Sequence, residues 1–353
     1  MALSIGIVGL PNVGKSTLFN ALTNKQVDAA NYPFCTIEPN IGIVKVPDER
    51  VAQLSIMSHS AKTIYTTIEF VDIAGLVKGA HDGEGLGNQF LAHIRACDAI
   101  CQVVRNFKDD NIIHVDGRIN PESDQATINL ELIYADLATV NKRLDKVSRE
   151  AKSGDKTAIQ QTTILTKLRN YLDNGQSLRQ FDFTADEQAL IKELNLLTSK
   201  PIIYVINSDQ PETEQLPDWD GAVLPLNAKL EADIAALPEA EQAEYIQELG
   251  LAQSGLNKLI AQAYQLLNLV TFLTTGQDET RAWTVNKNTP APLAAGVIHT
   301  DFIKGFVRAE IINWQDLLQA GGEAKAKELG LMRLEGKEYL VQDGDVCNFL
   351  INN

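Results

Sequence analysis

The segment that most constrains this chain is residues 9–16, which read GLPNVGKS and fit the pattern G-x-x-x-x-G-K-[ST]. An apolar run, IGIV at residues 5–8, precedes it, and a helix-forming run begins at Ser16. A glycine-rich turn between a strand and a helix directs backbone N–H groups and the helix N-terminus toward phosphate oxygens. The pattern therefore predicts a phosphate-binding loop. We expect the phosphates to be bound by Asn12, Val13, Gly14, Lys15, Ser16 and Thr17.

Two functional groups within this loop have distinct expected roles. Lys15 is expected to reach the β and γ phosphates and to act in catalysis, and the Ser16 hydroxyl is expected to bind Mg²⁺. Asp72 follows an apolar strand and is expected to hold Mg²⁺ through water, while the Gly75 amide senses the γ-phosphate. Thr36 lies in a proline-bounded loop, and its hydroxyl is expected to close over the metal when a triphosphate is bound.

The alternation of short β-branched runs with helical stretches predicts an α/β fold. The strand-like runs lie at residues 4–8, 40–46, 66–71, 99–104, 201–206 and 222–226. We assign them to one nucleotide-binding domain with a mostly parallel sheet, formed by residues 1–123 and 199–270. A further helical stretch is expected at residues 241–267.

Two other regions differ from this pattern. Residues 124–198 are almost free of Gly and Pro and carry helically spaced apolar residues, which predicts an inserted, coiled-coil-like helix pair with its turn at 153–155. Residues 271–353 contain short strands and turns, including 281–285, 296–299 and 344–350, which predict a small C-terminal β-rich domain.

Composition excludes few functions. A formal charge of -15 gives no electrostatic reason to expect nucleic-acid binding, although a local basic patch remains compatible with it. The first residues lack the pattern of a signal peptide, and no run reaches the roughly 20 apolar residues that span a bilayer, so we expect a cytoplasmic protein without membrane contact. The four scattered cysteines indicate free thiols rather than disulfides, and Cys97, Cys101 and His93 lack the further ligands of a metal site.

Residues 9–16, 32–40 (YPFCTIEPN) and 72–80 (DIAGLVKGA) together resemble the YchF family, Obg-related P-loop proteins of the translation-factor class. The similarity runs essentially the full length and includes residues 83–90 (GEGLGNQF) and 299–306 (HTDFIKGF). The resemblance implies that the C-terminal module is a TGS domain of β-grasp type. It also implies association with ribosomes and a preference for ATP.

The expected base-reading segment is residues 207–210, NSDQ, after a sheet strand. Guanine-selective relatives carry Asn-Lys-x-Asp there, because one carboxylate accepts hydrogen bonds from both guanine N1–H and the exocyclic amine. Gln210 has one acceptor atom and cannot form that pair, although Asp209 remains a partial substitute. We therefore expect guanine selectivity to be lost. Asn207 and the backbone at Ser208 are expected to meet the adenine edge, which agrees with the ATP preference that the resemblance implies. Base and sugar are also expected to contact Asn227, Ala228 and Lys229.

Hydrolysis is expected to be slow. Leu76 stands where many GTPases place a water-orienting glutamine, and an apolar side chain cannot position water. The resemblance implies that His114 orients or polarises the water, and the alternative is an ordinary surface-loop histidine. Asn12 either binds a monovalent cation beside the phosphates or shapes the loop.

Three functions follow from these residues. The leading hypothesis is an ATP hydrolase whose nucleotide state controls docking on the ribosome. A GTP-specific switch of the same fold is the second, and a nucleotide-stabilised interaction protein with negligible turnover is the third. A tail surface for RNA or ribosomal protein would use Arg281, Trp283, Lys304, Phe306 and Arg308, and core packing of the two aromatic side chains is the alternative.

Overall fold

The computed structural model describes residues 3–24, 40–73, 86–109, 111–112 and 118–352. Its strands are β1 (Ser4–Val8), β2 (Ile41–Lys45), β3 (Lys62–Ile64), β4 (Thr67–Asp72), β5 (Ala99–Asn106), β6 (Ile202–Ser208), β7 (Ala222–Leu226), β8 (Leu269–Thr274), β9 (Glu279–Asn286), β10 (Phe306–Asn313), β11 (Arg333–Glu335) and β12 (Asp345–Ile351). Its α-helices are α1 (Lys15–Thr23), α2 (Glu49–Ser58), α3 (Leu86–Ala96), α4 (Pro121–Ala151), α5 (Lys156–Asp173), α6 (Ala185–Ile191), α7 (Ala228–Ala236), α8 (Glu239–Glu248), α9 (Gly255–Leu266), α10 (Ala291–Ile298), α11 (Asp301–Gly305), α12 (Trp314–Ala320) and α13 (Glu323–Glu328).

The first compact unit comprises residues 1–44 and 69–262 and contains the nucleotide-binding sheet. Its strand order is β2-β4-β1-β5-β6-β7, and the pairs β1–β4, β1–β5, β5–β6 and β6–β7 are parallel. Every residue of β6 is buried, as expected for a strand covered on both faces. The predicted α/β fold with a mostly parallel sheet is confirmed.

The helical block contains the predicted helix pair and its turn. Asn120 caps α4 by accepting from Ser123 N at 3.1 Å, and Asp155 caps α5 by accepting from Ala158 N at 2.8 Å. Caps of this kind each contribute about 1 kcal/mol. The two helices share an apolar core with the segment that follows, made of Ile133, Val140, Leu144, Val147, Ile164, Leu165, Leu168, Leu172, Leu178, Ile191 and Leu196.

The proposed boundary at residue 124 does not separate two compact units. Helix α4 is continuous for 31 residues, and its first turns pack on the sheet. Gln125 and Asn129 donate to the hydroxyl of Tyr204 on β6 at 3.3 and 3.0 Å. The same helix therefore covers the sheet and extends into the helix pair, a continuity that composition did not reveal.

The helix predicted over residues 241–267 is interrupted. The left-handed conformation of Gly250, with φ at 71°, follows the end of α8, and α9 begins five residues later. Buried Glu231 accepts from the backbone N–H groups of Gly255 and Leu256 at 2.6 and 3.0 Å, which caps α9. Helix α7, which carries Glu231, was not anticipated from the sequence.

The second compact unit comprises residues 45–68 and 263–353. The assignment of residues 1–123 and 199–270 to the nucleotide domain therefore does not hold for residues 45–68 and 263–270. Its sheet has the order β11-β10-β12-β8-β9-β3, with β3 parallel to β9. Val51 and Leu54 of α2 are buried in a core that includes Leu273 and Leu317. A pairing between strands more than 200 residues apart leaves no local signal in the sequence.

Residues 296–299 were expected to form a strand, and the structure instead places them at the end of α10 and its C-cap. Pro290 precedes the helix, where its fixed φ is favourable, and Ala291, Ala294 and Ala295 are fully buried along one face. The strands expected at residues 281–285 and 344–350 are confirmed as β9 and β12.

The aromatic residues of the expected tail surface belong to the core of this unit. Phe306 is 4% exposed, and Trp283 stacks on Phe272 with ring centroids 6.3 Å apart. Trp283 also donates to Thr274 at 2.9 Å and carries the guanidinium of Arg281 over its ring. The structure thus favours core packing over an aromatic RNA-binding surface. Within the described ranges, no helix is both long and apolar enough to cross a membrane.

Candidate functional site

The site lies where the parallel strands of the first sheet end. Val8, Asp72, Asn106, Ser208 and Leu226 are the last residues of β1, β4, β5, β6 and β7. In open α/β sheets, ligands bind outside the carboxyl ends of the strands. The strand order thus brings residues 9–16, Asp72 and the segments after β6 and β7 to one edge of the sheet.

Residues 9–16 adopt a backbone that only particular residues tolerate. Asn12 and Gly14 both have positive φ, at 64° and 99°. A Cβ on Gly9 would lie 2.6 Å from the carbonyl oxygen of Val103, and a Cβ on Gly14 would clash with Nδ2 of Asn207. These positions explain the two glycines of the motif. The left-handed backbone of Asn12 supports its role in shaping the loop, and cation binding there stays a prediction.

Lys15 is 8% exposed and donates from Nζ to the carbonyl oxygen of Leu10 at 2.8 Å. Burial lowers the pKa of Lys15, and the negative charge of Asp72 opposes this effect. Burial likewise raises the pKa of Asp72, and the charge of Lys15 opposes that shift. The two side chains therefore interact electrostatically in a partly dehydrated site. A phosphate near Lys15 would supply further negative charge to a buried ammonium group.

The start of α1 presents its backbone donors without a side-chain cap. Gly14 is the N-cap residue and makes no side-chain hydrogen bond, while Ser16 and Thr17 in the first turn are exposed. The first N–H groups of a helix lack intrahelical acceptors and, with the helix dipole, favour an anion. This geometry suits phosphate oxygens.

The hydroxyl of Ser16 and the carboxylate of Asp72 carry oxygen atoms of the hard kind that Mg²⁺ prefers, and their role as metal-binding groups stays a prediction. Asp72 keeps partial exposure at the end of β4, so an ion could reach it. Thr36 and Gly75, expected to contribute to the metal and γ-phosphate contacts, lie outside the described residues. Leu76 and His114 also lie outside them.

Asn207 connects the phosphate loop to the base side of the site. Its Nδ2 donates to the carbonyl oxygen of Val13 at 3.0 Å, and its Oδ1 accepts from Ala228 N at 2.9 Å. Asn207 is 6% exposed. Each end of the amide thus makes one contact with protein, which gives Asn207 a structural role, while the second N–H of Nδ2 stays available and the expected contact with adenine stays a prediction.

The segment after Asn207 is tied to the end of β5. The Ser208 hydroxyl is paired with Oε1 of Glu214, and the same oxygen accepts from Nδ2 of Asn106 at 2.8 Å. Oδ2 of Asp209 accepts from Lys108 N at 3.0 Å, so this carboxylate is partly committed to the backbone and is less suited to guanine readout. The Gln210 side chain is exposed. Glu214 was not anticipated, because no motif marks it.

Residues 227–229 form the start of α7. Oδ1 of Asn227 accepts from the backbone N–H groups of Lys229 and Leu230 at 3.1 and 3.0 Å, so Asn227 is the N-cap. Ala228 N–H is occupied by Asn207, and Lys229 is exposed. Of these three residues, the exposed Lys229 side chain is best placed to pack on a base or sugar.

A buried arginine missed by sequence reasoning organises the segment after β5. Arg105 is 2% exposed and donates to the carbonyl oxygens of Phe107, Asp109 and Ile112 at 3.2, 3.2 and 2.9 Å. Its guanidinium also lies over the Phe107 ring, 4.3 Å from the centroid. The pattern gave no signal for it, because an arginine at the end of an apolar strand is usually exposed. Arg105 anchors the chain just before His114.

A parallel sheet, a helix without a side-chain cap after a glycine-rich loop, and a buried Lys15 that interacts electrostatically with Asp72 define a P-loop nucleoside triphosphate hydrolase. A family model described as a 50S ribosome-binding GTPase matches residues 4–142, and the YchF GTPase C-terminal model, described as a protein of unknown function, matches residues 269–352. The chain belongs to the YchF family.

Relatives support this assignment over the full length. The "Ribosome-binding ATPase YchF" of Bacillus subtilis (strain 168) is 52% identical over 365 residues, and that of Escherichia coli O157:H7 is 51% identical over 362 residues. Both alignments cover 100% of this chain and 100% of the relative. The solved structure of the Schizosaccharomyces pombe YchF GTPase matches with a TM-score of 0.88 and 38% identity, covering 99% of this chain and 97% of that one.

Proposed function

We propose that this chain hydrolyses ATP in preference to GTP, with Mg²⁺, and that its nucleotide state controls docking on the ribosome. The observation that carries the ATP preference is the environment of Gln210. This residue occupies the position of the guanine-reading carboxylate, and the adjacent carboxylate of Asp209 is partly engaged by Lys108 N. Two N–H donors of guanine therefore lack the bidentate acceptor that selects them.

A binding site built to pair with such donors discriminates strongly against a base that lacks them, and loss of the acceptor removes that discrimination. Adenine presents one exocyclic amine and a ring acceptor to the same edge. A single amide, which both donates and accepts, is complementary to that pattern. Gln210 is thus expected to tolerate adenine better than guanine, while the Asn207 bridge holds the segment against the phosphate loop.

The magnesium ion would be held by Ser16 and Asp72, with Thr36 as the expected third protein group. When bound, Mg²⁺ neutralises charge that develops on the β and γ phosphate oxygens. Lys15 orients the same phosphates, and the α1 N-terminus contributes N–H donors to them. Asp72 has a second role in this proposal, because its charge favours the protonated form of buried Lys15.

Slow intrinsic turnover is proposed because Leu76 replaces a water-orienting side chain. His114 is proposed to orient the attacking water. The support from the structure is indirect: Arg105 donates to the carbonyl oxygens of Phe107, Asp109 and Ile112, which precede His114 in the sequence.

Ribosome docking is proposed because two relatives of at least 51% identity carry the name ribosome-binding ATPase and align end to end with this chain. Co-sedimentation with purified ribosomes would test it, in parallel samples with an ATP analogue, with ADP and without nucleotide. We expect the pelleted fraction to differ between the analogue and ADP samples. Equal pelleting in all three would contradict nucleotide control.

Base preference is tested by equilibrium binding of labelled ATP and GTP analogues to nucleotide-free protein in the presence of Mg²⁺. The unmodified chain is expected to bind ATP more tightly, and Gln210→Asp is expected to weaken ATP binding and shift the preference toward GTP. Gln210→Glu introduces a carboxylate on a longer side chain and shows whether the position of the carboxylate matters. Equal or tighter GTP binding by the unmodified chain would replace the proposal with a GTP-specific switch.

A further inference from the structure

Glu214 lies outside the base-reading segment and is not part of any nucleotide-binding motif, yet it is joined to that segment by side-chain hydrogen bonds. Its Oε1 is paired with the Ser208 hydroxyl and accepts from Asn106 Nδ2 at 2.8 Å. Asn106 and Ser208 are register partners at the ends of neighbouring strands β5 and β6. One carboxylate oxygen therefore joins both strand ends to the loop that follows β6.

The carboxylate also fixes the direction of the Ser208 hydroxyl. An ionised carboxylate only accepts hydrogen bonds, so the hydroxyl must donate to Glu214. The hydroxyl oxygen then keeps its lone pairs for the backbone N–H of Gln210, which lies 3.2 Å away. Ser208 is 3% exposed, so water does not compete for this arrangement.

The backbone of Gln210 is held at both of its polar groups. Its N–H donates to Ser208 Oγ at 3.2 Å, and its carbonyl oxygen accepts from the N–H and hydroxyl of Thr213 at 3.2 and 3.1 Å. The turn over residues 210–213 returns the chain so that Glu214 reaches Ser208. Residues 208–214 thus form a closed loop whose ends are joined by side chains.

We propose that Glu214 is a positioning residue for base recognition, which holds the Gln210 backbone through Ser208 and so sets the affinity that depends on the base of the nucleotide. This inference rests on the proposed function, since Gln210 is the residue proposed to meet adenine. Glu214 does not touch the phosphate loop in any described contact. Its loss should therefore weaken the part of the binding affinity that depends on the base and leave the affinity for phosphates unchanged.

The test measures calorimetric binding of Mg²⁺-ATP and of Mg²⁺-tripolyphosphate, which carries phosphates and no base. Loss of a hydrogen bond to a charged partner corresponds to about a tenfold change in affinity. Glu214→Ala is therefore expected to weaken ATP by about tenfold and tripolyphosphate by less than about twofold. Glu214→Gln keeps an oxygen that accepts from Ser208 and should retain most of the ATP affinity.

Two further variants sharpen the test. Ser208→Ala interrupts the same link from its other end, so it should reproduce the loss, and the Ser208→Ala, Glu214→Ala pair should be no worse than either change alone. Glu212→Ala is the matched control, because it removes the same charge from an exposed position in the same turn. This control should leave the affinity for ATP and the affinity for tripolyphosphate unchanged.

The outcomes are separable. The proposal would be overturned if Glu214→Ala left the ratio of ATP affinity to tripolyphosphate affinity unchanged. It would also be overturned if the losses of ATP affinity in the two single variants added up in the double variant. A misfolded fraction lowers the binding stoichiometry instead of the affinity, and Ser208→Ala provides the second route to the same link. Tighter GTP than ATP binding by the unmodified chain would contradict the proposed ATP preference alone. The role of Glu214 would then be judged from the ratio of GTP to tripolyphosphate affinity.

Discussion

The side-chain amide of Asn207 donates to the carbonyl oxygen of Val13 inside the phosphate loop at 3.0 Å. Its oxygen accepts from the backbone N–H of Ala228, at the start of α7, at 2.9 Å. One buried side chain therefore connects the phosphate loop, the end of β6 and the loop after β7. Phosphate binding and base binding share this connection, so they should respond together to its loss.

Asn207→Ala would leave the Val13 carbonyl and the Ala228 N–H without these partners. Each buried polar group left unpaired costs about 1–3 kcal/mol. We expect a lower free energy of unfolding in urea and at least about tenfold weaker binding of both ATP and tripolyphosphate. Asn207→Asp keeps the acceptor for Ala228 but places a buried carboxylate oxygen against the Val13 carbonyl oxygen, so its stability loss should be at least as large. Unchanged tripolyphosphate affinity in Asn207→Ala would show that the bridge does not support the phosphate loop.

Gly14→Ala should abolish nucleotide binding for two reasons that can be measured apart. The backbone φ of 99° disfavours any side chain, and the added Cβ would clash with Nδ2 of Asn207. Gly175→Ala is the control, because Gly175 also has a positive φ of 73° but nothing lies within 4 Å of an added Cβ. The left-handed conformation alone costs about 1–2 kcal/mol.

The clash is then isolated by combining Gly14→Ala with Asn207→Ala. If it contributes as described, the stability loss of the pair should be smaller than the sum of the two single losses, as measured by urea unfolding. Additive losses would mean that the loop moves to accommodate the new methyl group.

Local patterns were sufficient to predict most elements of the first unit. The phosphate loop, the strands around it and the helix pair with its turn each carry a signal within a few neighbouring residues. Glycine, lysine and serine at fixed spacing are constrained by one local backbone shape. The spacing of apolar residues in a strand or helix shows which face is buried, even when the element that packs on that face is unknown.

Long-range partners decided what the sequence did not predict. Residues 45–68 carry an ordinary helix and strand pattern, and the long-range contacts of β3 with β9 and of α2 with the second core assign them to the second unit. The two protein partners of Asn207 lie 194 and 21 residues away in sequence, so its bridging hydrogen bonds left no local signal. Arg105 and Glu214 have polar side chains that would ordinarily be exposed, so no pattern indicated their buried contacts.

Arg105→Met should destabilise the segment after β5. It removes the donors to the carbonyl oxygens of Phe107, Asp109 and Ile112, with an expected cost of about 2–4 kcal/mol in the free energy of unfolding. Amide hydrogen exchange at Ile112, whose N–H donates to the Asp109 carbonyl at 3.2 Å, should also be faster. Arg149→Met, at an exposed position of α4, is the control. Equal exchange at Ile112 in both variants would contradict the anchoring role.

His114→Ala tests the proposed water-orienting role. We expect kcat for ATP hydrolysis to fall by about 10²–10⁴-fold, the usual contribution of a positioned acid, base or water-orienting group. The Kd for a non-hydrolysable ATP analogue should stay unchanged, since the ground-state phosphates are held by Lys15 and the α1 N-terminus. His59→Ala is a matched control on a histidine that ends α2. Unchanged kcat together with nucleotide-dependent ribosome binding would favour the interaction-protein hypothesis.

Asp72→Asn should stabilise the nucleotide-free protein at neutral pH while weakening its Mg²⁺-dependent binding of ATP. Burial raises the pKa of Asp72, and the opposing charge of Lys15 does not fully cancel this shift. An acid with a raised folded pKa binds its proton more tightly when folded. Its contribution to stability is therefore complete below the unfolded pKa, about 3.9, and is lost as pH rises through the folded pKa.

At pH 7 the ionised carboxylate consequently destabilises the fold, and Asn removes that cost. Thermal unfolding should give a midpoint roughly 1–3 °C higher for Asp72→Asn at pH 7, with the difference closing as the pH falls toward about 4. Asp218→Asn, at an exposed position, controls for the change in net charge. A lower midpoint for Asp72→Asn at pH 7 would mean that attraction to Lys15 outweighs desolvation. The carboxylate would then stabilise the fold as well as serve the metal.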